Sequence, residues 1–178
     1  MDVMKTRRSC RAFSDEMPGR ELLEAVCEAG TYAPTGHGRQ SPLIVAVTRR
    51  DVRDRLSRMN AAIWRRLGGH EELPDDFDPF YGAPVILLVL ADRTVPTWLY
   101  DGCAVLTNMA NAAHAVGLDT CWIHRAAEEF ESAEGKALLR ELGIEGDYAG
   151  VDHLAVGFRS REIPGPRPRK EGYVRWVE

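Results

Sequence analysis

The residues of this chain with the clearest chemical potential are arginines that occur in three segments far apart in the sequence. The segments are 7–11 (Arg-Arg-Ser-Cys-Arg), 33–40 (Ala-Pro-Thr-Gly-His-Gly-Arg-Gln) and 166–170 (Pro-Arg-Pro-Arg-Lys). If folding brings such cations together, two of them repel by roughly 4 kcal/mol at about 4 Å and an effective dielectric of about 20, unless an anion lies between them. A phosphate suits this position, because a guanidinium donates paired hydrogen bonds worth roughly 1.5–3 kcal/mol each. The three segments therefore indicate a site for a ligand that carries phosphate.

Length and charge limit the class of protein. The chain has 178 residues and a formal net charge of −4. This length predicts a single domain over residues 1–178, small enough that a second subunit could complete an enclosed active site. The acidic balance argues against nucleic acid as a partner, because binding to the phosphate backbone needs a broad basic face. No apolar run has the length of a signal peptide or a membrane span, so we expect a cytoplasmic protein that does not bind membranes.

Several well-known chemistries have no support in the sequence. The four cysteines form no Cys-x-x-Cys pair and the five histidines lack metal-ligand spacing, so we expect reduced thiols and no metal site. We find no Gly-x-Gly-x-x-Gly after a strand, no Walker-type loop and no Gly-x-Ser-x-Gly elbow. A dedicated dinucleotide-binding domain and a serine hydrolase are therefore not indicated.

The apolar pattern predicts an α+β protein with a mixed sheet. We expect strands at 43–47, 85–90, 121–123, 151–156 and 173–177, the first of them buried on both faces. Helices are predicted at 21–29, ended by Gly30, from an Asp51 cap to Ile63, at 97–116 and at 132–142. The helix at 97–116 is rich in small residues, which favours the centre of the core and part of a dimer interface. The acidic cluster in the middle of the chain predicts a solvated loop or flap; it comprises Glu71, Glu72, Asp75, Asp76 and Asp78.

The three basic segments resemble the motifs of the FMN-dependent nitroreductase family. Its members open with an R-R-S-x-R-like stretch, continue with A-P-S/T-G-x-x-x-Q and finish with a basic K/R-x-R tail, and the resemblance spans nearly the whole chain. It implies a nitroreductase-like α+β fold, with a central mixed sheet flanked by helices and a C-terminal strand exchanged in a homodimer. It also implies bound FMN, NADH or NADPH as a transient reductant, and ping-pong transfer of electrons to a small acceptor, either nitroaromatic, quinone or flavin-like.

The resemblance assigns roles to individual residues of the first two segments. Arg7, Arg8 and Ser9 correspond to the ligands of the FMN phosphate and ribityl chain. Arg11 corresponds to the basic residue beneath the pyrimidine edge, where its charge favours the anionic reduced flavin. The loop Pro34-Thr35-Gly36 corresponds to the segment under the flavin ring, where a short backbone permits close approach. Gln40 closes that motif.

Later positions also match the family. Asn60 corresponds to an asparagine that contacts the pyrimidine ring, and the alternative is an asparagine on a helix surface that faces water. The segment Gly-Leu-Asp-Thr-Cys-Trp-Ile at 117–123 resembles the family's G-L-G-T-C-W-I, so Ile123, His124 and Arg125 approach the flavin's hydride-accepting nitrogen. His124 is then a pocket wall or a proton donor, and Arg125 is a pocket residue or a surface charge.

In the third segment, Arg167 and Arg169 correspond to a C-terminal phosphate clamp, with Lys170 as a competitor for the place of Arg167. The prolines beside them restrict the backbone and reduce the entropy lost on binding.

Two departures from the family leave the acceptor open. Gly38 stands where many members have Asn, and Ser41-Pro42 replaces the frequent Pro-Trp. No catalytic side chain is assigned, because the flavin carries the chemistry. The alternative function is a non-catalytic flavin-binding or redox-sensing module, in which a flap at 64–81 blocks the acceptor side. Fold alone does not separate these functions.

Overall fold

A computed structural model describes residues 1–66 and 73–178. Within these ranges the helices are α1 (Asp2–Thr6), α2 (Arg20–Thr31), α3 (Arg50–Arg66), α4 (Trp98–Ala115), α5 (Ala126–Glu131) and α6 (Ala133–Glu141). The strands are β1 (Pro42–Val47), β2 (Val85–Asp92), β3 (Asp119–Ile123) and β4 (Tyr148–Gly157), and a short 3-10 turn covers Gly36–Gly38. No helix in the described part of the chain is long and apolar enough to span a bilayer.

The four strands form one sheet in the order β1-β2-β4-β3, and every neighbouring pair is antiparallel. The α+β class is thus confirmed. We predicted a mixed sheet. Within the described residues, the only parallel pairing is a single bridge between Ser9 and Thr120, at the edge of β3. The pairing of β2 with β4 shifts register between Val89 and Leu90, which leaves one extra residue in β4 at this point.

Successive side chains of β2 point to opposite faces of the sheet, so the core consists of two clusters, one on each face. Ile86, Leu88 and Leu90 point into a cluster that includes residues of α3, α5 and α6. Leu87 and Val89 point into the opposite cluster, which includes residues of α2 and α4. The strand is buried over its whole length except at its last residue, as expected for a central strand covered on both faces.

Two glycines allow backbones to approach closely. Gly30 lies inside α2, where a Cβ would stand 2.8 Å from Cγ of Met109. The prediction that Gly30 ends this helix was therefore wrong, because the residue serves packing against α4. Gly150 in β4 lies under α5, where a Cβ would stand 2.2 Å from the carbonyl oxygen of Ala126.

Other local predictions also need correction. Strand β1 is an edge strand that is mostly half-buried in the single chain, so its predicted burial on both faces was wrong. Asp51 lies inside the first turn of α3 and pairs with Arg49, so it is not the cap. Within the acidic cluster, Asp78 is not merely solvated, because it accepts hydrogen bonds from Ser57 and from two backbone N–H groups. Glu71 and Glu72 lie outside the described residues.

The C-terminal segment forms no strand within the chain. Residues 164–178 are all exposed, and residues 173–177 have turn or irregular backbone. The last side chain that packs on the core is that of Ile163. Exchange of this segment with a partner sheet stays a prediction.

Candidate functional site

The front basic segment runs along the edge strand β3. The N–H of Cys10 donates to the carbonyl oxygen of Thr120 at 2.8 Å, next to the Ser9 bridge. Burial raises the pKa of the Cys121 thiol, and the positive charges of Arg11 and Arg7 act in the opposite direction. Both arginines therefore lie near this strand.

The arginines of this segment have no anionic partner among the described residues. The ion pairs of residues 1–66 and 73–178 involve none of Arg7, Arg8 and Arg11. In addition, Nε of Arg8 is buried and makes no hydrogen bond. A group of cations with an unsatisfied buried donor fits a phosphate, which brings both negative charge and several acceptor oxygens.

The predicted flavin loop at 34–40 is fixed by a buried carboxylate that the sequence did not single out. Asp101, in the first turn of α4, is 4% exposed and accepts from the N–H of Gly36 at 2.9 Å and from the Ser41 hydroxyl at 2.7 Å. Burial acts to raise the pKa of Asp101, but these hydrogen bonds and one from Thr97 outweigh it, so the pKa is lowered. The side chain is therefore a carboxylate that organises the loop.

Close packing explains the glycine of the loop. A Cβ on Gly36 would lie 2.2 Å from the Thr97 hydroxyl oxygen, so only glycine fits there. The N–H of Gln40 donates to the Thr35 hydroxyl at 3.1 Å, and Gln40 itself has a positive φ of 50°. Thr35 and Gln40 also line a cavity of about 400 Å³ between α2 and β1.

Segment 7–11 and loop 34–40 lie at opposite ends of α4 in one chain. Gly36 is bonded to Asp101 in the first turn, whereas Thr6, which precedes Arg7, makes a 2.9 Å hydrogen bond with the ring of His114 in the last turn. Thirteen residues separate Asp101 from His114, which corresponds to about 20 Å of helix. The single chain therefore does not bring these two predicted parts of the site together.

The end of β3 and the turn that follows it hold the next three predicted residues, Ile123, His124 and Arg125. Ile123 is buried, and the ring Nδ1 of His124 lies 2.9 Å from Asp152 Oδ1. Asp152, a second carboxylate that the sequence did not indicate, also accepts from Trp122 Nε1 at 2.7 Å. Because a carboxylate is only an acceptor, this contact fixes the tautomer with Nδ1 protonated and leaves Nε2 free.

Arg125 begins α5 with a left-handed backbone, at φ 96°. Its guanidinium pairs with Glu128 at 2.9 Å and lies over the ring of Trp64, 5.7 Å from the centroid. Arg125 is thus held against α3 and α5, and its role as a pocket residue stays a prediction.

Asn60 lies in the core, with 0% exposure. The alternative that it faces water was wrong, and its side chain offers no exposed surface to a flavin either. Instead, Nδ2 donates to the carbonyl oxygen of His124 at 2.9 Å and to Glu129. Its observed contact is thus with the backbone of the predicted flavin-binding turn.

The tail arginines are separate from the front segment in the single chain. Arg169 donates to the carbonyl oxygen of Arg167 at 2.8 Å, and both residues are exposed. Lys170 lies over the ring of Tyr173, 5.2 Å from its centroid. No hydrogen bond or ion pair among the described residues joins this tail to segment 7–11.

Comparison with known proteins decides the family. The profile described as "Nitroreductase family" matches residues 4–158. The chain belongs to this family. A nitrobenzene nitroreductase of Ectopseudomonas oleovorans is 24% identical over 92% of this chain and 88% of its own length. A nitroreductase with bound FMN from Bacteroides fragilis has a TM-score of 0.89 and 25% identity, covering 99% of this chain and 97% of its own. Another with bound FMN, from Desulfitobacterium hafniense, has a TM-score of 0.86 and 27% identity over 99% and 97%.

Membership in the nitroreductase family places this chain among flavin-dependent oxidoreductases. The carboxylates that fix its candidate site had no sequence signal, because each acts across a long stretch of chain. Asp101 bonds Gly36 from 65 residues away, and Asp152 bonds His124 from 28 residues away. Only the position of Asp101 in a first helical turn could have drawn notice.

Proposed function

We propose that this nitroreductase binds FMN, takes electrons from NADH or NADPH, and passes them by a ping-pong mechanism to a small nitroaromatic, quinone or flavin-like acceptor. The observation that carries the proposal is the group of unpaired arginines beside β3, next to the turn at 123–125. Relatives with bound FMN share the fold at 25% and 27% identity. The use of NAD(P)H is supported by a relative from Haemophilus influenzae, 31% identical over 69% of this chain, that is provisionally named an NAD(P)H nitroreductase.

In this proposal the front segment holds the phosphate end of FMN. Arg7, Arg8 and Ser9 bind the phosphate and ribityl chain, and the unsatisfied Nε of Arg8 is one donor available for that purpose. Arg11 contributes positive charge at the pyrimidine edge of the ring. Arg167 and Arg169 close the clamp when the tail is ordered.

The turn at 123–125 lies at the edge of the ring in this proposal. Ile123 lines the apolar side of the proposed flavin site. His124 forms a polar wall of the site and is held by Asp152, and Arg125 faces the ring with its backbone. When bound, FMN supplies two-electron transfer in both half-reactions. The protein orients the ring, limits access of water and sets the local charge.

A second copy of the chain completes the site. Because segment 7–11 and loop 34–40 lie about 20 Å apart along α4 in one chain, Pro34, Thr35, Gly36 and Gln40 reach the flavin ring from the partner. The exposed tail then adds to the partner's sheet, where edge strand β1 offers unpaired backbone groups. We place the homodimer in the cytoplasm.

The proposal is tested by removing the clamp. The double variant Arg7→Ala, Arg169→Ala is expected to lose bound FMN, because two charge-assisted contacts disappear. The matched control is Arg20→Ala, Arg140→Ala, which removes two cations on other helices. Full flavin occupancy in the first variant would reject the clamp.

Reactivity is tested separately by stopped-flow mixing of the holoprotein with NADH and with NADPH. Bleaching of the flavin by either nucleotide, followed by recovery on adding a nitroaromatic or a quinone, supports the enzyme. Absence of bleaching with both nucleotides would instead favour a flavin-binding sensor.

A further inference from the structure

A buried polar cluster lies beneath the turn that joins β3 to α5. It consists of Asn60 from α3, Glu129 from α5 and His153 from β4, each 0% exposed. Nδ2 of Asn60 donates to Glu129 Oε1, and Glu129 Oε2 lies 3.1 Å from His153 Nε2. That separation is an ion-pair distance, although the two groups are not aligned for a hydrogen bond. Among the ion pairs of the described residues, it alone has both side chains fully buried.

A buried polar cluster of this kind adds little net stability to a core. Transfer of each charge from water costs several kcal/mol, and apolar side chains of similar volume often serve stability equally well. The electrostatics nevertheless favour the charged pair here. Burial lowers the pKa of His153, but the negative charges of Glu129 and Asp152 and the hydrogen-bond acceptors around the ring together outweigh it, so the pKa is raised. The pair therefore calls for a role beyond packing.

The cluster reaches the predicted flavin-binding turn through one hydrogen bond. Nδ2 of Asn60 donates to the carbonyl oxygen of His124 at 2.9 Å, which turns this carbonyl into the core. No peptide bond among the described residues is cis, and in a trans peptide the C=O and the following N–H point in opposite directions. The N–H of Arg125 therefore points away from the core.

This N–H is an unused donor. Among the hydrogen bonds made by residues 1–66 and 73–178, none has the Arg125 N–H as its donor. Backbone donors are rarely left without a partner in folded proteins. The residue also has φ 96°, a strained conformation that is uncommon for residues other than glycine. Both features indicate that the turn is held in place for a ligand.

We propose that Asn60, oriented by the buried Glu129 and His153 side chains, is a positioning residue that directs the Arg125 N–H toward the edge of the bound flavin. The inference rests on the proposed function, because it takes FMN as the ligand. Glu129 determines which end of the Asn60 amide faces His124, since a carboxylate accepts only and must face Nδ2. His153 lies 3.1 Å from the other oxygen of Glu129 and attracts it electrostatically. Asn60 thus acts on the flavin through the backbone, without touching it.

Amide hydrogen exchange at Arg125 tests the positioning directly. In the wild-type protein we expect FMN to slow exchange of this amide by at least about tenfold, as for a donor that gains a hydrogen bond of about 1.4 kcal/mol. In Asn60→Ala the slowing should disappear. FMN should still bind, with a dissociation constant up to about tenfold higher.

The matched control is Asn108→Ala. Asn108 also donates through Nδ2 to a backbone carbonyl, that of Ala29 at 3.2 Å, but between α4 and α2. This variant loses an equivalent hydrogen bond and should keep the FMN-dependent slowing at Arg125. A merely structural role of Asn60 would give the same result in both variants.

Should Asn60→Ala fail to fold, Glu129→Gln keeps the volume of the cluster and removes its charge. It should reduce the FMN-dependent slowing by a smaller factor. Slowing as in the wild type, in either folded variant, would overturn the inference. Wild-type protein that binds FMN without slowing at Arg125 would overturn it while leaving the proposed function intact, whereas failure to bind FMN would remove both.

Discussion

Loop 34–40 and tail 164–178 both carry predicted flavin ligands, but the chain holds them in opposite ways. The loop is tied to Asp101, which takes three hydrogen bonds inside the protein. The tail is exposed throughout, and the hydrogen bonds that Arg169 makes within the described residues go to the carbonyl oxygen of Arg167. The loop is therefore ordered by folding, whereas the tail must gain its order from a ligand or from a partner chain.

The largest effect is expected from a substitution that removes the anchor of loop 34–40. Asp101→Ala leaves the N–H of Gly36 and the hydroxyls of Ser41 and Thr97 without their acceptor, and each unsatisfied group costs roughly 1–3 kcal/mol. We expect the free energy of unfolding, measured with urea, to fall by about 3–5 kcal/mol. The exposed Asp147→Ala is the control. A loss below about 1 kcal/mol would show that the loop is held by other contacts.

Deleting part of the exposed tail should weaken the dimer and leave the folding of the chain unchanged. Removal of residues 171–178 keeps Arg167 and Arg169 but takes away Tyr173, Val174 and Trp176. We expect the dimer dissociation constant from sedimentation to rise by about 100-fold or more, because the augmenting strand is lost. Circular dichroism should keep its helix and strand signals. An unchanged dimer would mean that the tail does not join the partner.

A pH effect separates the buried cluster under the turn from the exposed tail. Burial lowers the pKa of His153, but the charges of Glu129 and Asp152 and nearby hydrogen-bond acceptors together outweigh it, so the pKa is raised in the folded chain. The stabilisation is present in full below the unfolded value of about 6.5 and is lost as the pH rises through the raised folded pKa. Unfolding measured from pH 6 to pH 9 should show this decline in the wild type. His153→Phe should flatten it, and parallel curves for the two proteins would contradict the assignment.

The smallest effect is expected at the turn at 123–125. The chain holds this turn less firmly than loop 34–40 and more firmly than the tail. Asp152→Asn keeps an acceptor for Trp122 but presents the wrong group to His124 Nδ1. We expect a loss of about 1 kcal/mol in unfolding free energy and a more mobile His124 ring, detected by NMR relaxation of its imidazole. Asp147→Asn is the control, and equal mobility of the His124 ring in both variants would argue against Asp152 as the anchor.

The elements that were predicted well have long, regular patterns. Helix α4 and strand β2 follow directly from small-residue content and a continuous apolar run. Helix α5 was missed, because it spans six residues and begins at a left-handed arginine that no residue type announces. The role of Gly30 was misjudged, because packing against Met109 is a tertiary property.

Contiguous motifs could be read from the sequence as candidate ligands, and their roles stay predictions. Segment 7–11 lies along β3, and the ion pairs of the described residues do not involve its arginines. Asn60 shows where this reasoning stops, since a position in a helix does not reveal that the amide contacts a backbone carbonyl 64 residues away. The separation of loop 34–40 from segment 7–11 along α4 likewise needed the fold.

The visible absorption spectrum of the protein as purified, with identification of the chromophore released on denaturation, tests the central claim most directly. We predict flavin absorption bands and FMN as the chromophore, at close to one per chain, because each chain contributes one arginine clamp. A colourless protein that also fails to take up added FMN would contradict the account.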